Sequence, residues 1–400
     1  MAQSISQEAI GATGLPGATA ASRHAGATAS GAPTTGTFAV GDYVVDQTGA
    51  MYICTVAGTP GTWQLSGVSV NENIAGKNAI INGGMDIWQR GTTFALTTYN
   101  VYTADRWSCG NGSGITISQV SSGLTGFQYA MRAQRNSGVG AVTSINLFNM
   151  FETKNSIPLA GQTISLSFWA RAGANFSGTG YNIHPQVQTG TGTDQNAWSG
   201  WTGSAFPIDS STSLTTSWQK FTYTGVCASN ITQAGIFFYY VPTGTAGAND
   251  YFDITGVQLE IAPQATPFSR AGGSIGGELA LCYRYYYRTT AYNQTTGSGY
   301  GFSYLSTPNP ANSAGQIYLQ PMVPVTMRTN PTALDYNLSN IAVQSGYGRT
   351  TITSISIASG NQFFPGVLLA SSTNSFTQAQ TYVLQDTGSG NGYLGISAEL

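Results

Sequence analysis

Ile164-Ser165-Leu166-Ser167-Phe168-Trp169-Ala170 alternates large apolar with small side chains, the period of a strand with one face in a core and the other outside it. The pattern returns in Trp218-Gln219-Lys220-Phe221-Thr222-Tyr223, in Ile236-Phe237-Phe238-Tyr239-Tyr240 and in Tyr251-Phe252-Asp253-Ile254-Thr255-Gly256-Val257-Gln258-Leu259. Clusters of Gly, Pro, Asn and Ser separate these runs, and no long stretch repeats at the helical period. Many short strands between turn signals predict an all-β chain with an antiparallel β-sandwich over residues 78–275, specifically a jelly roll.

Working outward, residues 276–288 (GGELALCYRYYYR) place Leu279 and Cys282 at helical spacing and read as a short connector. Strand-like runs resume over 289–400, which predicts a second, smaller sandwich. Upstream, Tyr43–Val45 and Met51–Val56 flank the turn residues Asp46-Gln47-Thr48-Gly49, a hairpin signal. With Trp63 packing back on it, 36–77 reads as a β mini-domain and linker, too small for a stable core of its own. Residues 1–35 hold almost no large apolar side chains and predict an extended arm, since their Gly spacing is too irregular for a collagen helix.

Composition narrows the function. Only 8% of residues are charged while 12% are aromatic, so the surface is neutral and polar while the cores are well supplied. A net charge of −2 with scattered arginines argues against a nucleic-acid partner. No apolar run reaches the length of a membrane span, and the first residues carry neither the basic start nor the apolar centre of a signal peptide. The four cysteines, Cys54, Cys109, Cys227 and Cys282, are widely spaced with no CxxC pair, and read as buried thiols rather than zinc ligands or a disulfide framework.

Several segments, taken together, resemble a domain widespread in bacteriophage tail-fibre and virion fibre proteins. They are Asn78-Ala79-Ile80-Ile81-Asn82-Gly83-Gly84-Met85-Asp86-Ile87-Trp88-Gln89-Arg90-Gly91, Tyr102-Thr103-Ala104-Asp105-Arg106-Trp107, Leu166–Ala172, Thr216–Gln219, Val257–Glu260, Ala265–Phe268 and Glu278–Tyr286. Ser397-Ala398-Glu399-Leu400 is similar to the ending of such proteins. The same order of elements resembles the jelly-roll carbohydrate-binding modules attached to polysaccharide-degrading enzymes. The resemblance covers about half the chain and implies a structural virion protein: a tail fibre that binds host cell-surface carbohydrate or, alternatively, a head spike or capsid decoration protein. It further implies a homotrimer on the particle surface, joined to other virion proteins through the N-terminal arm. Met85-Asp86 stands where the enzyme-linked modules commonly have an apolar residue and Glu, which weakens the carry-over of their structural calcium site.

The candidate binding residues follow from sugar chemistry. A pyranose offers axial C–H groups to an aromatic face and hydroxyls to amides, so Trp198 and Trp201, with Gln186, Gln188 and Asn196, are candidates for a neutral glycan. The same tryptophans could instead cover the end of the core. Trp88, Trp107, Trp169 and Trp218, in or beside patterned strands, read as packing residues. Tyr283, Arg284, Tyr285, Tyr286, Tyr287 and Arg288 read as an interdomain or intersubunit seam, with a stacking platform as the alternative. Asp86 and Asp253 are the candidate oxygen ligands for calcium, and Asp86 alternatively caps a turn; no other cofactor is expected. No carboxylate pair is marked by spacing, and His24 and His184 are the only histidines, so no catalytic residues are assigned and a binding protein is expected in place of an enzyme.

Overall fold

The computed structural model describes residues 23–47, 49–66, 74–110, 113–290, 300–302, 309–313, 315–345, 348–358, 361–363, 365–371, 376–387 and 391–400. They fall in two compact units, Met1–Asn71 and Glu72–Leu400.

In the first unit, strands His24–Thr28, Tyr43–Asp46, Met51–Val56 and Thr62–Leu65 form one sheet in that order. The hairpin between the second and third is tied by Asp46, whose Oδ1 accepts the Ala50 N–H at 3.0 Å. Trp63 packs edge-on against Phe38 at 4.8 Å. His24–Thr28 pairs in parallel with Tyr43–Asp46, so the sheet takes in residues expected to be arm. The segment His-Ala-Gly-Ala-Thr has no large apolar side chain to betray it, because the backbone ladder holds it. Residues 1–22 of the expected arm lie outside the described residues.

The second unit opens with the predicted sandwich. One sheet runs, in spatial order, through Ala205–Asp209, Asn182–Gly190, Gln233–Tyr240, Ile145–Met150, Trp107–Gly110 and Val101–Tyr102, with Thr212–Ser213 added on Asn182–Gly190. The other runs through Gln219–Val226, Thr163–Ala172, Tyr251–Ile261, Tyr129–Arg135, Ile115–Ser121 and Thr93–Leu96. Every described strand pair in both sheets is antiparallel. The chain crosses repeatedly from sheet to sheet, the jelly-roll habit. Between the sheets lies one core: Trp107, Leu147, Leu166, Phe168, Ile236, Phe238, Tyr240, Phe252 and Ile254 are all fully buried in it. The alternation read from the sequence is the in-and-out pattern of these strands.

The expected connector divides in two. Ser274 caps helix Ile275–Tyr283, its side chain accepting the Gly277 N–H. Tyr286–Thr290 then leaves as a strand pairing with Tyr393–Ser397, on whose far side lies Ala333–Tyr336. An eight-stranded antiparallel sheet, which includes Gln316–Leu319, Ile341–Ser345, Val367–Ala370 and Thr381–Asp386, completes the C-terminal region. Its core gathers Ile317, Ile341, Val343, Val367, Leu369 and Leu394. Among the described residues no helix is long and apolar enough to cross a membrane.

Candidate functional site

The opening segment of the sandwich, residues 78–91, turns out to be framework. Asn78 spends its whole amide on the frame: Nδ2 donates to the Val257 and Ser269 carbonyls, and Oδ1 accepts the Ile80 and Leu259 N–H groups. Asn82 does the same, donating to the Ile87 and Asp105 carbonyls and accepting from the Asp86 and Ile87 amides. Gly83 lies so close to the long strand Tyr251–Ile261 that a Cβ there would sit 2.0 Å from the Val257 oxygen. Glu278, in the first turn of the helix, accepts the Asn82 and Gly272 N–H groups. Burial pushes its carboxyl upward, as burial does Asp105. These residues lock the start of the sandwich to the helix, and their side chains are spent.

The Tyr/Arg run lies against both the sandwich and the C-terminal region. Tyr285 and Tyr286 are buried. Arg106 lies 3.5 Å over the Tyr285 ring, Arg90 3.5 Å over Tyr286, and Arg288 3.5 Å over Tyr393. Arg284 makes a two-pronged bond to Glu152 at 2.7 and 2.9 Å. Burial raises the Glu152 carboxyl but is outweighed by Arg284 and Tyr285, which leave it below the usual Glu range. Tyr283 stacks edge-on with Tyr287 at 5.3 Å. Into this region runs the last stretch of sequence: Glu399 pairs with Arg106 and Arg90, and the Leu400 carbonyl accepts from the Tyr102 hydroxyl and the Asn196 amide.

Of the residues offered for glycan contact, Trp201 is corrected. It is only 7% exposed, its indole N–H donates to the Gln195 carbonyl, and its ring fills the space over Gly190 and Gly235. It roots the 191–204 loop on the sheet and has no face left for a sugar. Trp198, in a short 3₁₀ turn of that loop, is half-buried and lies against Gly110, bonded to the Ser108 hydroxyl. Asn196 caps the turn, accepting the Trp198 N–H at 2.9 Å. Gln186 is corrected with Trp201, being equally buried and donating its amide to Asp209 at 2.7 Å, whereas Gln188 is half-buried and donates to Ser204 at 2.9 Å.

Next to these residues stands a feature that sequence reasoning passed over. On the outer face of the seven-stranded sheet, His184 stacks on Tyr239 at 4.6 Å, Tyr239 on Phe237 at 5.1 Å, and Phe237 on Phe148 at 4.0 Å with ring planes 9° apart. Phe148 meets Trp198 edge-on at 5.1 Å, and Trp198 in turn meets Tyr99, which is 62% exposed. Cross-strand register builds the column, because His184 lies opposite Tyr239, and Phe237 lies opposite both Gln186 and Phe148. Rings stacked on one another spend their faces within the column and turn their edges outward. Open faces can then occur only at its ends, at His184 and around Trp198 and Tyr99. The signal was present: in Ile236-Phe237-Phe238-Tyr239-Tyr240 both parities are large and apolar, so the outward set was never an ordinary wet face.

The two candidate calcium ligands are both taken up by arginine. Asp86 receives Arg270 at 2.8 and 3.0 Å, and Asp253 receives Arg132 and Arg171 at 2.8 to 3.0 Å. Each carboxylate already holds a fixed positive charge where a cation would sit, and among the described residues no three His, Cys, Asp or Glu side chains gather to hold a metal. All four cysteines are buried free thiols, and burial pushes Cys109 up to about 12 and Cys227 up to about 11, which keeps Cys109 and Cys227 protonated at neutral pH.

No protein-family model matches the chain, and no curated protein matches it in sequence. Among solved structures, the CBM22-1 xylan-binding domain of Xyn10C from Paenibacillus barcinonensis covers 44% of this chain and 97% of its own, at 10% identity and a TM-score of 0.27. TmCBM61, solved in complex with β-1,4-galactotriose, covers 46% and 99% at 14% identity and 0.28. The enzymatically active domain of tailspike protein 4 from bacteriophage CBA120 matches at 12% identity and 0.27, covering 46% of this chain and 22% of that one. Likenesses of this size carry no argument about function.

Proposed function

We propose that this protein is a fibre or spike of a bacteriophage virion whose sandwich holds neutral carbohydrate of the host surface on the outer face of its seven-stranded sheet. The observation that carries the binding half is the column His184–Tyr239–Phe237–Phe148 ending at Trp198, flanked by the half-buried amide of Gln188. Aromatic edges attract sugar oxygens, the terminal rings offer faces for C–H stacking, and side-chain amides match hydroxyls. A polymer passing over a surface needs an open face of this kind in preference to a closed cavity. The virion half rests on the resemblance of residues 78–288 and 397–400 to fibre proteins, which brings with it a homotrimer anchored through residues 1–35.

Binding of the full chain to a panel of neutral and acidic bacterial surface polysaccharides tests the first half. Retention on neutral glycans, lost in the Phe237→Ala, Tyr239→Ala double variant, is the expected result, and equal retention by wild type and variant would sink it. Labelled antibody against the protein, imaged on intact particles, tests the second half: decoration of the tail is expected, decoration of the head shell would favour the decoration-protein alternative, and no decoration would reject a virion role.

A further inference from the structure

We propose that the C-terminal region sets the position of Trp198, through Arg328 and the segment Ala398–Leu400, and so tunes the affinity of the aromatic face; the affinity half rests on the glycan-binding reading above. The 191–204 loop is rooted by its own contacts, with Thr191 N–H donating to the Thr202 carbonyl and Gln195 bonded to Thr202. The part that carries Trp198 rests on the sheet through Ser108, Gly110 and Met150, whose Sδ accepts the Ala197 N–H at 3.1 Å, and is held from its other side by the C-terminal region. Arg328 donates from Nη1 to Asp194 at 3.0 Å, from Nε to the Ala398 carbonyl at 2.8 Å and from Nη2 to the Glu399 carbonyl at 3.0 Å. Asp194 in turn accepts the Thr153 N–H at 2.7 Å. One guanidinium therefore grips the loop and the tail segment at once.

Asn196 makes the second link. Its Oδ1 caps the turn at Trp198, while its Nδ2 donates to the Leu400 carbonyl at 2.8 Å. The two ends of one planar amide thus connect the tail segment to the tryptophan backbone, so a shift of the tail moves the cap. Trp198 is also where the ring column ends. A displaced indole takes the terminal ring out of line with the column, and sugar stacking on it is steep in distance and angle. Arg328 and Asn196 are positioning residues here, acting on a ligand through Trp198.

Asn196→Asp keeps the acceptor that caps Trp198 and removes the donor to Leu400, while Arg328→Ala releases both tail and loop from the far side. The full chain labelled with 5-fluorotryptophan gives a resonance for Trp198, assigned by its loss in Trp198→Phe. The expected result is a shifted or broadened Trp198 signal in both variants, with the Trp107 and Trp169 signals in place and partial return in Arg328→Lys. On neutral polysaccharides that retain the wild type, both variants should bind about three- to tenfold more weakly. An unmoved Trp198 signal in both variants, or a moved signal with unchanged affinity, overturns the proposal. If Trp198 moves as described and wild type binds no member of the panel, the positioning stands and the glycan reading falls.

Discussion

The strands of the seven-stranded sheet contain one formally charged residue, Asp209, whereas those of the six-stranded sheet contain six: Arg132, Arg135, Arg171, Lys220, Asp253 and Glu260. On the charged side, Asp253 takes two arginines, of which Arg132 lies 3.5 Å over Tyr251 and Arg171 4.7 Å over Trp218. Glu260 and Gln258 point outward but are closed by the following loop, through Thr266 and Ser269. A buried charge is tolerable only when its partners are supplied, so that side has satisfied itself. The other side had only Asp209 to satisfy, which Gln186 does, and left His184, Phe237 and Tyr239 half-buried while Phe148 is covered. Two sheets of one sandwich thus end with opposite surfaces, and the one without ion pairs is the one with something left to offer.

The largest expected effect lies with the charged sheet. Arg135 and Asp250 are paired at 2.8 Å with neither side chain exposed, and Arg135 spends its remaining donors on Ser177 and the Gly140, Thr243 and Gly244 carbonyls. Asp250→Ala leaves that cation uncompensated and should cost about 3–5 kcal/mol in denaturant unfolding; a loss under about 1 kcal/mol would mean that the pair is wet. Phe237→Ala with Tyr239→Ala should do the reverse, lowering glycan affinity at least about tenfold by calorimetry while moving the melting temperature less than Asp250→Ala does.

Acid acts off both sheets and more gently, through Glu152 at the start of the helix Thr153–Ser156 and Glu278 in the helix Ile275–Tyr283. Glu152 is held below its ordinary 4.5, so its contribution is present above that value and fades as pH falls through the depressed one. Glu278, raised by burial, runs the opposite way, favouring the fold at acid pH and losing that contribution as pH rises through its raised value. Melting curves should therefore fall on the acid side of pH 4.5, and Glu152→Gln should flatten that limb; an unchanged limb would put the acid sensitivity elsewhere. The smallest effect concerns salt. With Asp209 the one formal charge on the strands of the seven-stranded sheet, raising NaCl from about 0.05 to about 0.5 M should change the proposed glycan affinity less than about twofold, and a steep loss would point to charged contacts.

Period two made the sandwich legible, because each strand has a wet or half-wet side for contrast, as in Ile164–Ala170. Phe237 and Tyr239 share a face of one strand and were legible as a pair, but the rest of the column was hidden, because no local pattern states that Phe237 lies opposite Phe148 or Tyr239 opposite His184. Trp201 misled for a related reason. A tryptophan among Gly, Ser and Asn reads as exposed, yet Gly190 and Gly235, distant in sequence, clear the floor that receives it. His24–Thr28 escaped because backbone pairing needs no side-chain signature.

Gly256 interrupts the longest strand of the sandwich. Phe252 and Ile254 face the core before it and Val257 and Leu259 after it, all fully buried, so the strand changes parity there by one extra residue. Its φ of +61° suits glycine, and a Cβ would stand 2.6 Å from the Phe127 ring. Pairing with Thr163–Ala172 matches Ser167 to Gln258 on one side and Trp169 to Thr255 on the other. Removing Gly256 outright would bring Val257 opposite Phe168 and leave those matches standing, whereas a β-branched replacement that straightened the strand would turn Val257 and Leu259 outward. On pairing alone, the chain can shed this residue more readily than exchange it, so relatives of the protein should show either glycine or a gap here.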